Sequence, residues 1–220
     1  MQSSNGARAE AGAAPRTRRL QARREQLIAA AERHFLEHGF AKTSVNAIVR
    51  EAGGSLATLY AEFSSKEALF ESVLSERTAK FFPGERSLPP DTTDAEAQLR
   101  DLATHMLRRM LSESGLAVYR IAVHEAPRFP ALRRAMLEVG MAGLLNRTAS
   151  YLRGLASQEL LRIEEGEDAA RVAAGQFIAL VQGQLVVSAA CGEKISAQTR
   201  ADHVNAAVTA FLGIYGHRSG

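Results

Sequence analysis

Apolar positions along this chain recur three and four residues apart in segment after segment, with no sustained two-residue alternation of β-branched residues. The pattern predicts an all-α protein of about nine helices. In the first segment, Leu20 to His38, the residues Leu27, Ile28, Ala31, Phe35 and Leu36 share one face, and Gly39 stops the helix. Thr43 or Ser44 then caps a second helix, Gly53 or Gly54 supplies a turn, and Ser55 caps a third. Each cap offers a side-chain oxygen to amides that a helix start leaves unpaired. A fourth helix, capped by Ser64 or Ser65, carries Leu69, Phe70, Val73, Leu74, Arg77 and Phe81 on one stripe and ends at Pro83-Gly84.

Two short helices joined by a tight glycine turn present the second as a rigid rod, and the major groove of DNA, about 12 Å wide, admits such a rod. The run from Thr43 to Lys66 therefore makes double-stranded DNA the first partner to test. Pro83, Gly84, Pro89 and Pro90 mark a linker over 83–93, which separates a helix-turn-helix domain at 20–82 from a helical domain at 94–220. In that second domain helices are expected over 95–110, 116–123, 130–157, 168–191 and 197–215, the third opened by Pro130 in its first turn. The 168–191 segment is apolar on more than one face. It is either buried wholly within one subunit or, with 197–215, supplies half of a four-helix bundle between two copies.

Charge sharpens the DNA reading. The net charge is +3, yet residues 1–24 hold six arginines (Arg8, Arg16, Arg18, Arg19, Arg23, Arg24) against Glu10 alone. Residues 1–16 have no apolar period, so a disordered basic arm is expected over 1–19, of the kind that reaches along phosphates or into the minor groove beside such motifs. A solubilising tail is the alternative. The single cysteine, Cys191, rules out an internal disulfide framework and fits a reducing compartment. No signal-like apolar stretch opens the chain, and Phe177 to Cys191 is shorter than the roughly 20 residues a bilayer requires. A cytoplasmic, nucleoid-associated bacterial protein without a membrane partner is expected.

Residues 24–74 resemble the TetR/AcrR family of bacterial transcriptional regulators. The resemblance is carried by Ala31, Phe35, Gly39-Phe40, Thr43-Ser44-Val45, Ile48, Ala52-Gly53, Ser55, Thr58-Leu59-Tyr60, Phe63, Lys66-Glu67 and Leu69. The segment Val118 to Pro130 is similar to the start of the regulatory domain in an AefR-like branch of that family. The resemblance implies a homodimer, with the third helix of each subunit in one half-site of a palindromic operator. It also implies a C-terminal domain that binds a small molecule and supplies the dimer interface, here through 168–191 and 197–215. Within the family, residues matching Tyr60 and Lys66 contact phosphates, while those matching Thr43, Ser44 and Ser55 are caps that can also face phosphate.

The positions open to a base edge are Leu56, Ala57, Thr58 and Asn46. Apolar side chains mainly meet thymine methyls, so an A/T-weighted half-site with modest direct readout is expected, supported by Arg18, Arg19 and Arg23 of the arm. The chain departs from the family at Val49, usually a smaller residue, and Gly54, usually valine. This reads as an exchange of volume between packing neighbours. In the regulatory domain Met106, Met110, Tyr119, His124, Phe177 and Gln184 are candidates to line an apolar pocket for an apolar or amphipathic effector, each also explicable as plain core. The sequence lacks nucleophile-elbow, phosphate-loop, dinucleotide and zinc-helix motifs. His34 and His38 are its one ligand-like pair, so catalysis, a metal and a cofactor are not expected. A repressor is the leading function; a helical interaction module without specific DNA binding, or an enzyme, is the alternative.

Overall fold

The computed structural model describes residues 6–80 and 94–217, with side chains from Arg18 onward, and the linker expected at 83–93 falls outside them. Every regular element among the described residues is helical. The chain forms two compact units that divide between Val73 and Leu74 rather than after residue 82.

The first unit contains α1 (Gly6–Lys42), α2 (Val45–Ala52), α3 (Leu56–Glu62) and the opening turns of α4 (Lys66–Ala79). Because α1 starts at Gly6, the expected disordered arm is helical from that point, in keeping with the helix propensity of its alanines and arginines. Within α1 Gly39 adopts φ +80°, a conformation glycine reaches without strain, and the chain kinks there. The kink sets Phe40 against Phe35, with ring centroids 5.5 Å apart, and both rings meet Phe70 of α4 at 5.5 and 5.1 Å. This aromatic trio, with buried Leu27, Ile28, Ile48, Leu59 and Leu69, is the core on which the helix-turn-helix rests.

The second unit runs from Leu74 through α5 (Ala95–Met110), α6 (Glu113–His124), α7 (Pro130–Arg134), a π-helical stretch (Ala135–Met141), α8 (Ala142–Ser157), α9 (Glu167–Gln182), α10 (Leu185–Ala190) and α11 (Ala197–Tyr215). Pro130 occupies the first turn of α7, as expected, and α7, the π-helical stretch and α8 continue as one rod. Helix α9 is the centre of this unit, packing on α5, α8 and α11. Its Phe177 lies fully buried, edge-on to Phe211 of α11 with centroids 5.0 Å apart, and Phe211 packs in turn on Tyr215.

The helix expected over 168–191 is broken at Gly183, which has φ +46°. A β-carbon there would stand 2.4 Å from His203 Cε1, and His203 Nε2 donates to the Val181 carbonyl at 3.0 Å, closing the end of α9. The break turns α10 away onto α6, and with α7, the π-helical stretch and α8 counted as one helix it brings the expected nine or so to ten among the described residues. Val172, Val187 and Ile214 remain exposed on α9, α10 and α11. Among the described residues no helix is long and apolar enough to cross a membrane.

Candidate DNA-binding surface and effector cavity

The helix-turn-helix is set by residues that point inward. Ile48 and Val49 of α2 and Leu59 of α3 are buried, Phe63 closes the end of α3, and Gly53 makes the turn at φ +70°. Ser55 caps α3, its Oγ accepting from the Thr58 amide at 3.1 Å and lying 3.0 Å from the Thr58 hydroxyl. With Leu59 and Phe63 turned inward, α3 presents Leu56, Ala57, Tyr60 and Ala61 outward, with Tyr60 51% exposed. Asn46 and Ser44 are exposed on α2, and Ser44 makes no side-chain cap bond there. Arg18 and Arg19 are exposed on α1.

Three of the expected DNA contacts are engaged within the protein. Thr43 is buried. Its hydroxyl lies 2.9 Å from the His34 carbonyl and 2.6 Å from that of Gly39, and its amide donates to the Phe40 carbonyl, so it fastens the kink at Gly39. Lys66 folds across the Phe40 ring, its ammonium 4.6 Å from the centroid, and donates to the Ala41 carbonyl at 3.4 Å. Arg23, half-buried, turns back onto the helix-turn-helix. Its Nη1 donates to the Ala52 carbonyl at 2.8 Å, where the last carbonyls of α2 carry partial negative charge.

Arg23 also corrects the reading of Val49 and Gly54 as an exchanged pair. A β-carbon at Gly54 would stand 1.6 Å from Arg23 Nη2, so the space the glycine opens holds a guanidinium, while Val49 packs into the core. Replacing Arg23 with alanine is expected to lower stability by about 1 kcal/mol in urea unfolding. Gly54→Ala should cost a similar amount by displacing the guanidinium, and the double variant should cost no more than Arg23→Ala alone, because both changes break the same contact.

Nearby, the Arg33 guanidinium holds the Glu51 carboxyl below its usual range by a 2.6 Å hydrogen bond. His34, the expected partner of His38 in a pair, lies beside that carboxylate with its ring 5.6 Å from His38. Among the described residues no three ligating side chains converge on one point.

Besides a wider cleft of about 540 Å³ between α5 and α11, the second unit contains a cavity of about 250 Å³. Met110 and Tyr119, both expected there, line it. The other four candidates do not. Met106 and Phe177 are fully buried in the core, and His124 and Gln184 are exposed. The walls come instead from Leu74, Arg77 and Thr78 of α4, Val118 and Ala122 of α6, Met136, Gly140 and Met141 of the π-helical stretch, and Ile178, Gln182 and Val186 around the α9–α10 bend. π-helical turns inside helices recur at functional sites, and this one supplies a wall with room where Gly140 lacks a side chain. Arg77 had a signal in the sequence: a cation on the apolar stripe of α4. It is only 6% exposed and donates to Ser114 Oγ at 3.3 Å.

Comparison with known proteins bears on both surfaces. Residues 27–73 match the family described as bacterial regulatory proteins of the tetR family, and residues 97–217 match the C-terminal domain of AefR-like transcriptional repressors. The chain belongs to the TetR family of transcriptional regulators. The family match ends at Val73, where the first compact unit also ends. A TetR-family regulator from Mesorhizobium loti superposes with a TM-score of 0.70 at 25% identity, covering 90% of this chain and 99% of that one. The flavonoid-responsive regulator FrrA superposes at 0.67 with 32% identity, covering 90% of this chain and 100% of its own.

Curated relatives match over shorter stretches. The repressor ComR of Escherichia coli is 38% identical over 58 residues, and the activator FasR of Mycolicibacterium smegmatis is 36% identical over 78. These matches span 28% and 36% of the relatives' own lengths, so the two share with this TetR-family chain a part and not a whole.

Proposed function

We propose that this TetR-family regulator is a repressor that binds a palindromic operator as a homodimer and is released by a small apolar or amphipathic effector held in the cavity of its second unit. The observation that carries the reading is the α2–turn–α3 arrangement, in which every large inward residue supports α3 and its outer face, Leu56, Ala57, Tyr60 and Ala61, is left open. Asn46 and Ser44 flank that face, and Tyr60 offers a hydroxyl to phosphate. Thr58 is half-buried and shares its hydroxyl with Ser55, so base reading rests on apolar contact with thymine methyls and on Asn46. For Lys66 to reach phosphate its ammonium must leave the Phe40 ring, so binding exchanges one cation contact for another.

Two features support the partners. Val172, Val187 and Ile214, exposed on the helices expected to pair, are the apolar positions a second copy would cover. The apolar cavity with a few polar groups fits an amphipathic small molecule, and flavonoids, to which FrrA by its name responds, belong to that class.

A gel shift with the DNA upstream of the protein's own gene and its neighbours is expected to give a sequence-specific complex at moderate salt. If competitor DNA of any sequence removes the complex equally, an interaction module without specific DNA binding becomes the better reading. Removing residues 1–19 should weaken the complex and flatten its salt dependence by about 0.9 log units per lost phosphate contact. An unchanged slope would show that Arg18 and Arg19 do not touch DNA.

A further inference from the structure

Three of the chain's five methionines, Met110, Met136 and Met141, line the 250 Å³ cavity. Met106 is packed solid in the core, whereas Met136 is half-buried and Met141 is 56% exposed, so two of the three are not held by close packing on every side. We infer that the cavity takes an uncharged, hydroxylated aromatic compound of one or two rings, its ring against the methionines and its hydroxyl paired with Tyr119 or Gln182. This rests on the reading of the cavity as the effector site and adds the charge, ring character and size of its occupant.

The ring character comes from the sulfurs. A thioether is polarizable and makes favourable contacts with aromatic rings, and an unbranched side chain with three rotatable bonds adapts to a flat guest; a saturated guest of the same outline gains only buried area. The neutral state comes from the other walls. Among the described residues no acidic side chain lines the cavity, and its one cation, Arg77, is 6% exposed, donates to Ser114 outside the lining and takes part in a further interaction within the protein. A charged guest would therefore enter an apolar chamber whose cation is already engaged, and burying a charge without a partner is costly. The Thr78 hydroxyl is engaged too, donating to the Leu74 carbonyl at 2.8 Å. Tyr119 and Gln182 have no side-chain hydrogen bond among the described residues, which leaves a phenol and an amide for a guest hydroxyl that both donates and accepts. The volume equals roughly eight waters at ~30 Å³ each, room for one or two rings but not for a long acyl tail.

The test is calorimetric titration of the full chain, without DNA and near neutral pH, with four probes built on one skeleton. Thymol carries the ring and the hydroxyl, menthol keeps the hydroxyl on a saturated ring, p-cymene keeps the aromatic ring without the hydroxyl, and cuminate replaces the hydroxyl's place in the set with a carboxylate. Thymol is expected to bind saturably at one per chain, with menthol, p-cymene and cuminate each at least about fivefold weaker. Met136→Leu combined with Met141→Leu conserves volume and removes two sulfurs, and should weaken thymol roughly 3- to 10-fold while leaving menthol within about twofold. Tyr119→Phe combined with Gln182→Met should bring thymol and p-cymene to within about twofold of each other.

Should a variant not fold, the four probes on the unaltered chain still decide. Equal affinity for thymol and menthol, a preference for cuminate, no saturable thymol binding, or methionine variants that leave the gap between the two alcohols unchanged would overturn the inference. Since no DNA is present, such a failure leaves operator binding untouched. If thymol binds with the expected preferences and yet does not release the operator complex in a gel shift, the effector reading fails and the ligand class stands.

Discussion

Phe177→Ala is expected to lower the stability of this regulator by about 3–5 kcal/mol, read as a shift in the midpoint of chemical unfolding at constant slope. The ring is fully buried at the centre of α9, edge-on to Phe211, and Phe211 packs on Tyr215, whose hydroxyl donates to Gln176 at 2.8 Å. Truncation removes the buried surface of one ring and one edge-to-face contact, and it leaves a void that three packed helices cannot close without moving together. The size of the loss also discriminates between two roles. A residue lining an open cavity already lacks neighbours on one side, so its truncation costs less and alters ligand affinity instead. A loss near 1 kcal/mol would return Phe177 to the cavity wall.

On the first unit, placing glutamate at both Ala57 and Ala61 is expected to abolish operator binding, a loss on the order of a thousandfold in gel shift or fluorescence anisotropy, with the helical content of the protein unchanged. Both positions are exposed on the outer face of α3, so the substitutions disturb no core. In a groove-seated helix they would set two carboxylates among phosphates, where like-charge contact costs several kcal/mol. Low salt should deepen the loss, because repulsion between charges is less screened there. Retention of binding would mean that α3 is not the element that enters DNA.

Much of this arrangement is legible in the chain because periodicity reports which side of a helix faces inward. Leu27, Ile28, Phe35, Ile48, Leu59 and Leu69 form the first core as their spacing predicts, and Gly39 and Gly53 take the positive φ that makes them stops. Periodicity does not report whether the inside is filled. Met106, Met110 and Phe177 all lie on inward faces, yet one lines a chamber and two are packed solid, a difference set by neighbours distant in sequence.

The resting places of long polar side chains are the other part that the sequence pattern does not report. The reach of Arg23 from α1 to the carbonyl of Ala52, and of Lys66 across Phe40, depends on where two helices come to lie, which residue type alone does not encode. Thr43 differs: cap chemistry places an oxygen at the right junction, but the hydroxyl turns back to the preceding helix, and Ser44, at the cap position of α2, makes no side-chain cap bond.

The break at Gly183 has a bearing on how such a regulator changes what it senses. Ile178 and Gln182 stand on one side of it and Val186 on the other, so two walls of the chamber meet at a joint held by one glycine and the imidazole of His203. A descendant altered at either residue would keep every lining side chain and still enclose a space of different breadth. Ligand preference can thus drift through the angle of a joint, with no change in the residues that touch the ligand.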